Sequence, residues 1–201
     1  FNFDLDAGES MEDSIRVRNF GPVALTLATY ASDAVTAETG VLDLLPADEA
    51  PTGVGAWIEM AEPEIEVEPG AFVDIPFTLT VPEDADSGDH AGGIVTSHRA
   101  EAMGDGGEPV LLDRRLGSRV HVRVAGPLRP ALAVTDLSVG YDASANPAGA
   151  GSMHVEYTVT NTGNARLSGE QAMRVTGLFG IGNQEVTLEE MPELLPDHSL
   201  S

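Results

Sequence analysis

Apolar and polar residues alternate with a period of two along much of this chain, and that pattern constrains the fold more than any other feature. In AFVDIPFTLTVP, Val73, Ile75, Phe77, Leu79 and Val81 fall on one side, and Asp74, Thr78 and Thr80 on the other. Such a run predicts a half-buried antiparallel strand, and Pro76 inside it points to an edge or a bulge. SRVHVRV repeats the pattern, with Val120, Val122 and Val124 facing one way and Arg119, His121 and Arg123 the other. MHVEYTV does so again with Val155, Tyr157 and Val159. Turn chemistry separates the runs at Ala7-Gly8-Glu9, Pro69-Gly70, Asp86-Ser87-Gly88, Gly104 to Gly107 and Asn146-Pro147. With 22 Gly and 13 Pro spread among short runs, only ADEA at Ala47 and LEEMPELL at Leu188 leave room for a helical turn or two. The expectation is an all-β protein of two tandem immunoglobulin-like β-sandwich domains.

The domain boundary is placed at VAGPLRP, Val124 to Pro130, where a strand ends in Gly-Pro and a second proline before a fresh alternation begins. Residues 1–125 then form the first domain and residues 126–201 the second, in which four or five strands are recognisable. So few strands suggest a second sandwich that continues past Ser201. The charged stretch RAEAMGDGGEPV, from Arg99 to Val110, reads as a long hairpin loop inside the first domain. One cadence occurs in both domains: Val17, Asn19 and Gly21, then Val159, Asn161 and Gly163. Strand parity turns each Asn toward the sandwich interior at a strand end, where its amide can satisfy loop backbone groups. The Gly two residues later is expected to supply the positive φ of a tight exit turn.

Composition bears on partners and compartment rather than on fold. Against 33 acidic residues there are 10 basic ones, all arginine, for a net charge of -23. A chain so acidic lacks the clustered cations that nucleic acid requires, and it is repelled by anionic lipid. The absence of cysteine removes disulfide frameworks, thiolate metal sites and cysteine nucleophiles together. The start at Phe1, with neither Met nor an apolar leader, reads as a mature or trimmed product. No run approaches the ~18 consecutive apolar residues of a membrane helix, so a membrane link is expected only through an anchor outside this chain.

The order of landmarks in the first 125 residues resembles the peptidoglycan-binding domain of the WxL-interacting protein family. The landmarks are DAGESMEDSIRVRNFG, the Gly-Val-Leu segment at Gly40, GAWIEM, IEVEPGAFVDIPFTLTVPEDADSGDHAGGIV and RRLGSRVHVRVAG. The stretch from Pro69-Gly70 to Val95 is the most specific. The resemblance implies an exported, non-catalytic, cell-surface protein of a Gram-positive-type bacterium, held at the cell wall and membrane-anchored in its full-length form. The lysine-free, arginine-rich composition looks actinobacterial. The second domain matches less well, and host binding is not carried over to it.

Candidate sites are few. Asp84, Asp86, Asp89 and His90 in PEDADSGDH offer oxygen ligands, but without the spacing of a calcium loop, and the proline and glycine already account for a turn. His90, His98, His121, His154 and His198 lack the two-histidine helical spacing of a zinc site, so no metal or other cofactor is expected. Neither Gly-x-Ser-x-Gly nor His-Glu-x-x-His is present, and the scattered acids single out no catalytic pair. Trp57, the single tryptophan, reads as a core or loop anchor rather than a sugar platform. The candidate binding residues are Arg115, Arg119, His121 and Arg123, a local positive stripe with Arg114 beside it. Such a stripe suits an anionic wall polymer or an acidic partner segment, or neutralises acids across the same sheet. The expected function is non-catalytic binding of peptidoglycan or another cell-wall or surface-protein partner. Two alternatives stay open: a pilus-chaperone-like assembly factor, and an accessory sandwich of a larger secreted protein.

Overall fold

The computed structural model describes residues 1–37, 42–103, 108–142, 151–176 and 184–201. The turns expected at Gly104 to Gly107 and Asn146-Pro147, and the start of the Gly-Val-Leu segment at Gly40, lie outside the described residues. The chain divides into two compact units, Phe1–Val35 with Asp43–Pro127, and Thr36–Leu42 with Leu128–Ser201. It is an all-β protein of two immunoglobulin-like domains.

Two sheets build the first unit. One sheet runs in the order β1 (Asn2–Leu5), β9 (Pro109–Val124), β8 (Gly88–Met103), β3 (Leu25–Thr36) and β4 (Leu42–Leu44), with β6 (Glu64–Val67) also on β3. The other runs β2 (Ser10–Arg18), β7 (Phe72–Thr80), β5 (Ile58–Met60). The core between them is made by the alternating residues of the sequence: Ile15, Ile75, Phe77, Leu79, Val81, Ile94, Val120, Val122 and Val124 are all buried. Pro76 is at neither an edge nor a bulge, because β7 is the middle strand and its register with β2 is unbroken from Ser10↔Thr80 to Arg18↔Phe72. Its carbonyl accepts from Ala61 N at 3.1 Å, which places its missing N–H on the β5 side, where strand pairing stops at Phe77.

The helical turn lies where no helix is expected, at α1 (Val54–Trp57). Asp33 makes it: its carboxylate accepts from the backbone N–H groups of Thr52, Gly53 and Gly55 at 2.6, 2.9 and 2.8 Å, the donors a first turn leaves open. Trp57 is half-buried against the core, its ring 4.9 Å from that of His90. Residues 47–50 form no helix.

Among the described residues the second unit holds β10 (Leu132–Asp142), β11 (Ser152–Asn161), β12 (Leu167–Gly169), β13 (Ala172–Val175), β14 (Gln184–Thr187), β15 (Met191–Leu194) and β16 (Ser199–Leu200). They pair as β10-β11-β16, β12-β15 and β13-β14. The LEEMPELL stretch therefore contains β15, whose Met191 and Leu194 pack with Val159, Tyr157 and Leu200. Apolar residues at its two ends with exposed Pro192 and Glu193 between suit a strand paired to β12 as well as they suit a turn of helix.

The repeated Val-x-Asn-x-Gly cadence is one hydrogen-bond device used in each unit. Asn19 is buried and donates from Nδ2 to Val23 O and Val67 O at 2.7 and 2.9 Å, while Oδ1 accepts from Gly21 N at 2.8 Å. Asn161 is buried and donates to Ala165 O and Leu194 O at 2.7 and 3.0 Å, accepting from Gly163 N at 3.0 Å. The glycines do a different job from the one expected, since neither has positive φ. They allow close approach: a β-carbon at Gly163 would come within 2.2 Å of Arg129 O, and one at Gly21 within 3.1 Å of Asn19 Oδ1.

Candidate partner-strand edge

Arg115, Arg119, His121 and Arg123 occupy alternate positions of β9 and so share the face turned away from the core. They do not make a continuous positive stripe. Asp89 stands opposite Arg123 on β8, and Arg123 binds it with both arms of its guanidinium, Nε to Oδ1 at 2.7 Å and Nη2 to Oδ2 at 2.8 Å. The Asp89 side chain is only 6% exposed, and its hydrogen bonds hold the Arg123 guanidinium above its ordinary pKa. His121, half-buried, and exposed Arg119 follow, opposite Ala91 and Gly93. Exposed Arg115 is set apart at Gly117, where Leu44 lies over the strand; a β-carbon there would come within 2.6 Å of Leu44 Cδ1.

The turn offered as a cation loop is tied up within itself. Asp89 belongs to Arg123, and the His90 ring Nε2 makes a 2.8 Å hydrogen bond with Asp86 O. Among the described residues there is no group of three His, Asp or Glu side chains placed to hold a metal ion.

A feature of β9 that the charge pattern hid is its apolar, half-paired outer part. Pairing with β8 runs without a break from Gly88↔Val124 to Met103↔Pro109, so most of the segment expected to be a loop is strand. Its charged and glycine-rich composition resembles a turn, but the ladder simply continues through Arg99, Ala100 and Glu101. On the other side, β1 covers only His121 to Val124. Among the described residues no strand pairs with the remaining edge, and every residue from Pro109 to Gly117 is exposed.

Parity fixes what that edge presents. His121 N donates toward β1, to Phe1 O at 3.1 Å. The N–H and C=O groups of Leu111, Asp113, Arg115 and Gly117 therefore point to the same open side. Side chains of even-numbered residues continue the row of the buried valines, and three are apolar: Val110, Leu112 and Leu116, the last 72% exposed. A long apolar edge is a template for pairing with another chain, which proteins ordinarily blunt with charge, proline or a cover. The signal was present in the sequence as PVLLDRRL, where apolar residues at 110, 112 and 116 keep the parity of Val120, Val122 and Val124.

No family model matches this chain, and no curated protein matches it in sequence. Solved structures do match in fold. A chain of the chaperone–tip adhesin complex for CFA/I fimbriae biogenesis aligns at a TM-score of 0.50 and 12% identity, over 98% of this chain and 80% of that one. The CupB2 chaperone of Pseudomonas aeruginosa aligns at 0.46 and 12%, over 98% and 82%. The CsuC–CsuE chaperone–tip adhesion subunit pre-assembly complex of Acinetobacter baumannii aligns at 0.46 and 11%, over 99% and 85%. At these identities the likeness is one of fold. The expectation of a wall-polymer binder is corrected: the likeness in fold at a TM-score of 0.50 is to a chaperone–tip adhesin complex, and the arginine stripe that was to hold an anionic polymer is divided by Leu44 and neutralised at Arg123.

Proposed function

We propose that this chain is a secreted, non-catalytic assembly chaperone of the fimbrial type, which holds a partner surface subunit by adding β9 to it as a strand. The observation that carries this reading is the outer half of β9, with a backbone edge unpaired among the described residues and the exposed row Val110, Leu112 and Leu116. A subunit whose own sandwich lacks a strand presents a complementary open edge and an apolar groove. Main-chain hydrogen bonds to Leu111, Asp113, Arg115 and Gly117 supply affinity, and the apolar row fills the groove. The likeness in fold to a chaperone–tip adhesin complex supports the same reading. The acidity of the chain keeps such an edge soluble and disfavours self-association by like-charge repulsion.

The test is co-expression with the secreted β-sandwich subunits encoded beside its gene, followed by isolation of stoichiometric complexes. Replacing Leu112 and Leu116 together by Ser is expected to abolish the complex without unfolding the chain. A complex unaffected by that double substitution, or no complex with any such subunit, contradicts the proposal.

A further inference from the structure

The donor row of β9 contains one residue that does not fit an all-apolar groove. Arg114 lies between Leu112 and Leu116 on the same face, and it is exposed. Carboxylates outnumber arginines in this chain by 33 to 10, and ion pairs hold Arg16, Arg99, Arg123, Arg166 and Arg174. Arg114 has no acidic partner among the described residues. Directly across the ladder stands His98, whose Nδ1 is engaged with Thr26 O at 3.1 Å, and the adjacent Asp113 points to the opposite face, where it meets Arg99. An arginine without an acidic partner among the described residues, in a chain so rich in carboxylates, sits in the row the proposed partner must face.

We infer that the free edge of β9 selects a partner strand with a carboxylate directly opposite Arg114 and apolar side chains opposite Leu112 and Leu116. The preferred partner pattern is apolar-x-Asp/Glu-x-apolar. This inference rests on the strand-addition reading above and names the chemistry of its partner. In an added strand, directly opposed residues share a face and their side chains touch. A carboxylate there meets a planar guanidinium able to bind both its oxygens, between two leucine contacts that exclude water. A strand with Lys at the same position places two cations together, and an uncharged strand leaves the guanidinium desolvated without a partner. Specificity for one register follows too, because slipping the partner by two residues moves its carboxylate onto a leucine.

The probes are short synthetic strands of alternating Ile and Thr with Glu, Gln or Lys at the central inward position, N-methylated along one edge so that they cannot stack on each other. Binding to the wild-type chain and to the R114E, R114Q and Leu116→Ser variants is measured by calorimetry. The wild type is expected to bind the Glu strand about two- to fivefold tighter than the Gln strand, and the Lys strand most weakly. R114E is expected to reverse the order of Glu and Lys, R114Q to abolish the preference, and Leu116→Ser to weaken all three. If the three strands bind the wild type equally while Leu116→Ser still weakens them, strand addition stands and the role of Arg114 is overturned. If none binds, both are overturned.

Discussion

From Val120 to Val124, strand β9 has its valines at 0 to 1% exposure, with β8 on one side and β1 joining along His121–Val124 on the other. From Pro109 to Gly117 the same strand has, among the described residues, β8 on one side only, and the row that continues those valines is open to solvent. The alternation is the same in both halves. Burial is therefore decided by what stands opposite the strand, and the period of the sequence does not report that. An apolar row in the inner half is core, and in the outer half it is an unfilled contact.

Matched substitutions break or sharpen this comparison. Val122→Asp buries a charge with no partner and is expected to cost about 3–5 kcal/mol, enough to threaten the first unit. Leu116→Asp, on the same face of the same strand, is expected to change stability by less than about 0.5 kcal/mol in urea unfolding. Equal costs would mean that the outer half is part of the core.

The two asparagine devices extend the test across both units. Asn19→Ala leaves Val67 O without its buried donor and is expected to cost about 2–3 kcal/mol, and Asn161→Ala does the same to Leu194 O in the second unit. Thermal unfolding of each variant checks this, with the loss confined to the transition of the unit that carries the change. Smaller still is Arg123→Gln, which removes the two-armed ion pair of a mostly buried Asp89 and is expected to cost about 2 kcal/mol, where Arg114→Gln costs almost nothing.

The smallest effect is a pH dependence on the second sheet of the first unit. Arg16 hydrogen-bonds Asp74 at 2.7 Å and holds its carboxyl below the ordinary range. A lowered pKa in the folded state contributes stability that is present above the ordinary carboxylate value near 4, and that is lost as pH falls through the lowered one. The pair is exposed, so its contribution is slight. Asp74→Asn is expected to flatten the acid limb of the stability curve only slightly, and NMR titration of Asp74 gives the direction independently.

Much of the fold was legible in the residues. The strand at Phe72–Thr80, the valine half of β9 and the inward turn of Asn19 and Asn161 all follow from a period of two. The helical turn at Val54–Trp57 was hidden because its capping carboxylate comes from Asp33, far away along the chain. The strand pairing of Arg99–Met103 with Pro109–Asp113, inside a stretch expected to be loop, was hidden for a related reason. That pairing is sustained by the ladder that precedes it, and local composition pointed to a turn. At Gly21 and Gly163 contact with neighbouring atoms, rather than the expected positive φ, restricts the position, and the approach of Gly163 to Arg129 is not written in the local sequence. Charge is conspicuous in a chain at -23, but the leucines around the arginine stripe carry the more informative pattern.

Residue-resolved amide exchange along β9, with and without the Glu-centred strand, tests the central claim most directly. In the free chain the amides of Leu112, Arg114 and Leu116 are expected to be protected by β8, and those of Leu111, Asp113, Arg115 and Gly117 to exchange freely. On saturation with the strand, the second set is expected to become protected as well. Protection of that set in the free chain, or none at saturation, would contradict the account.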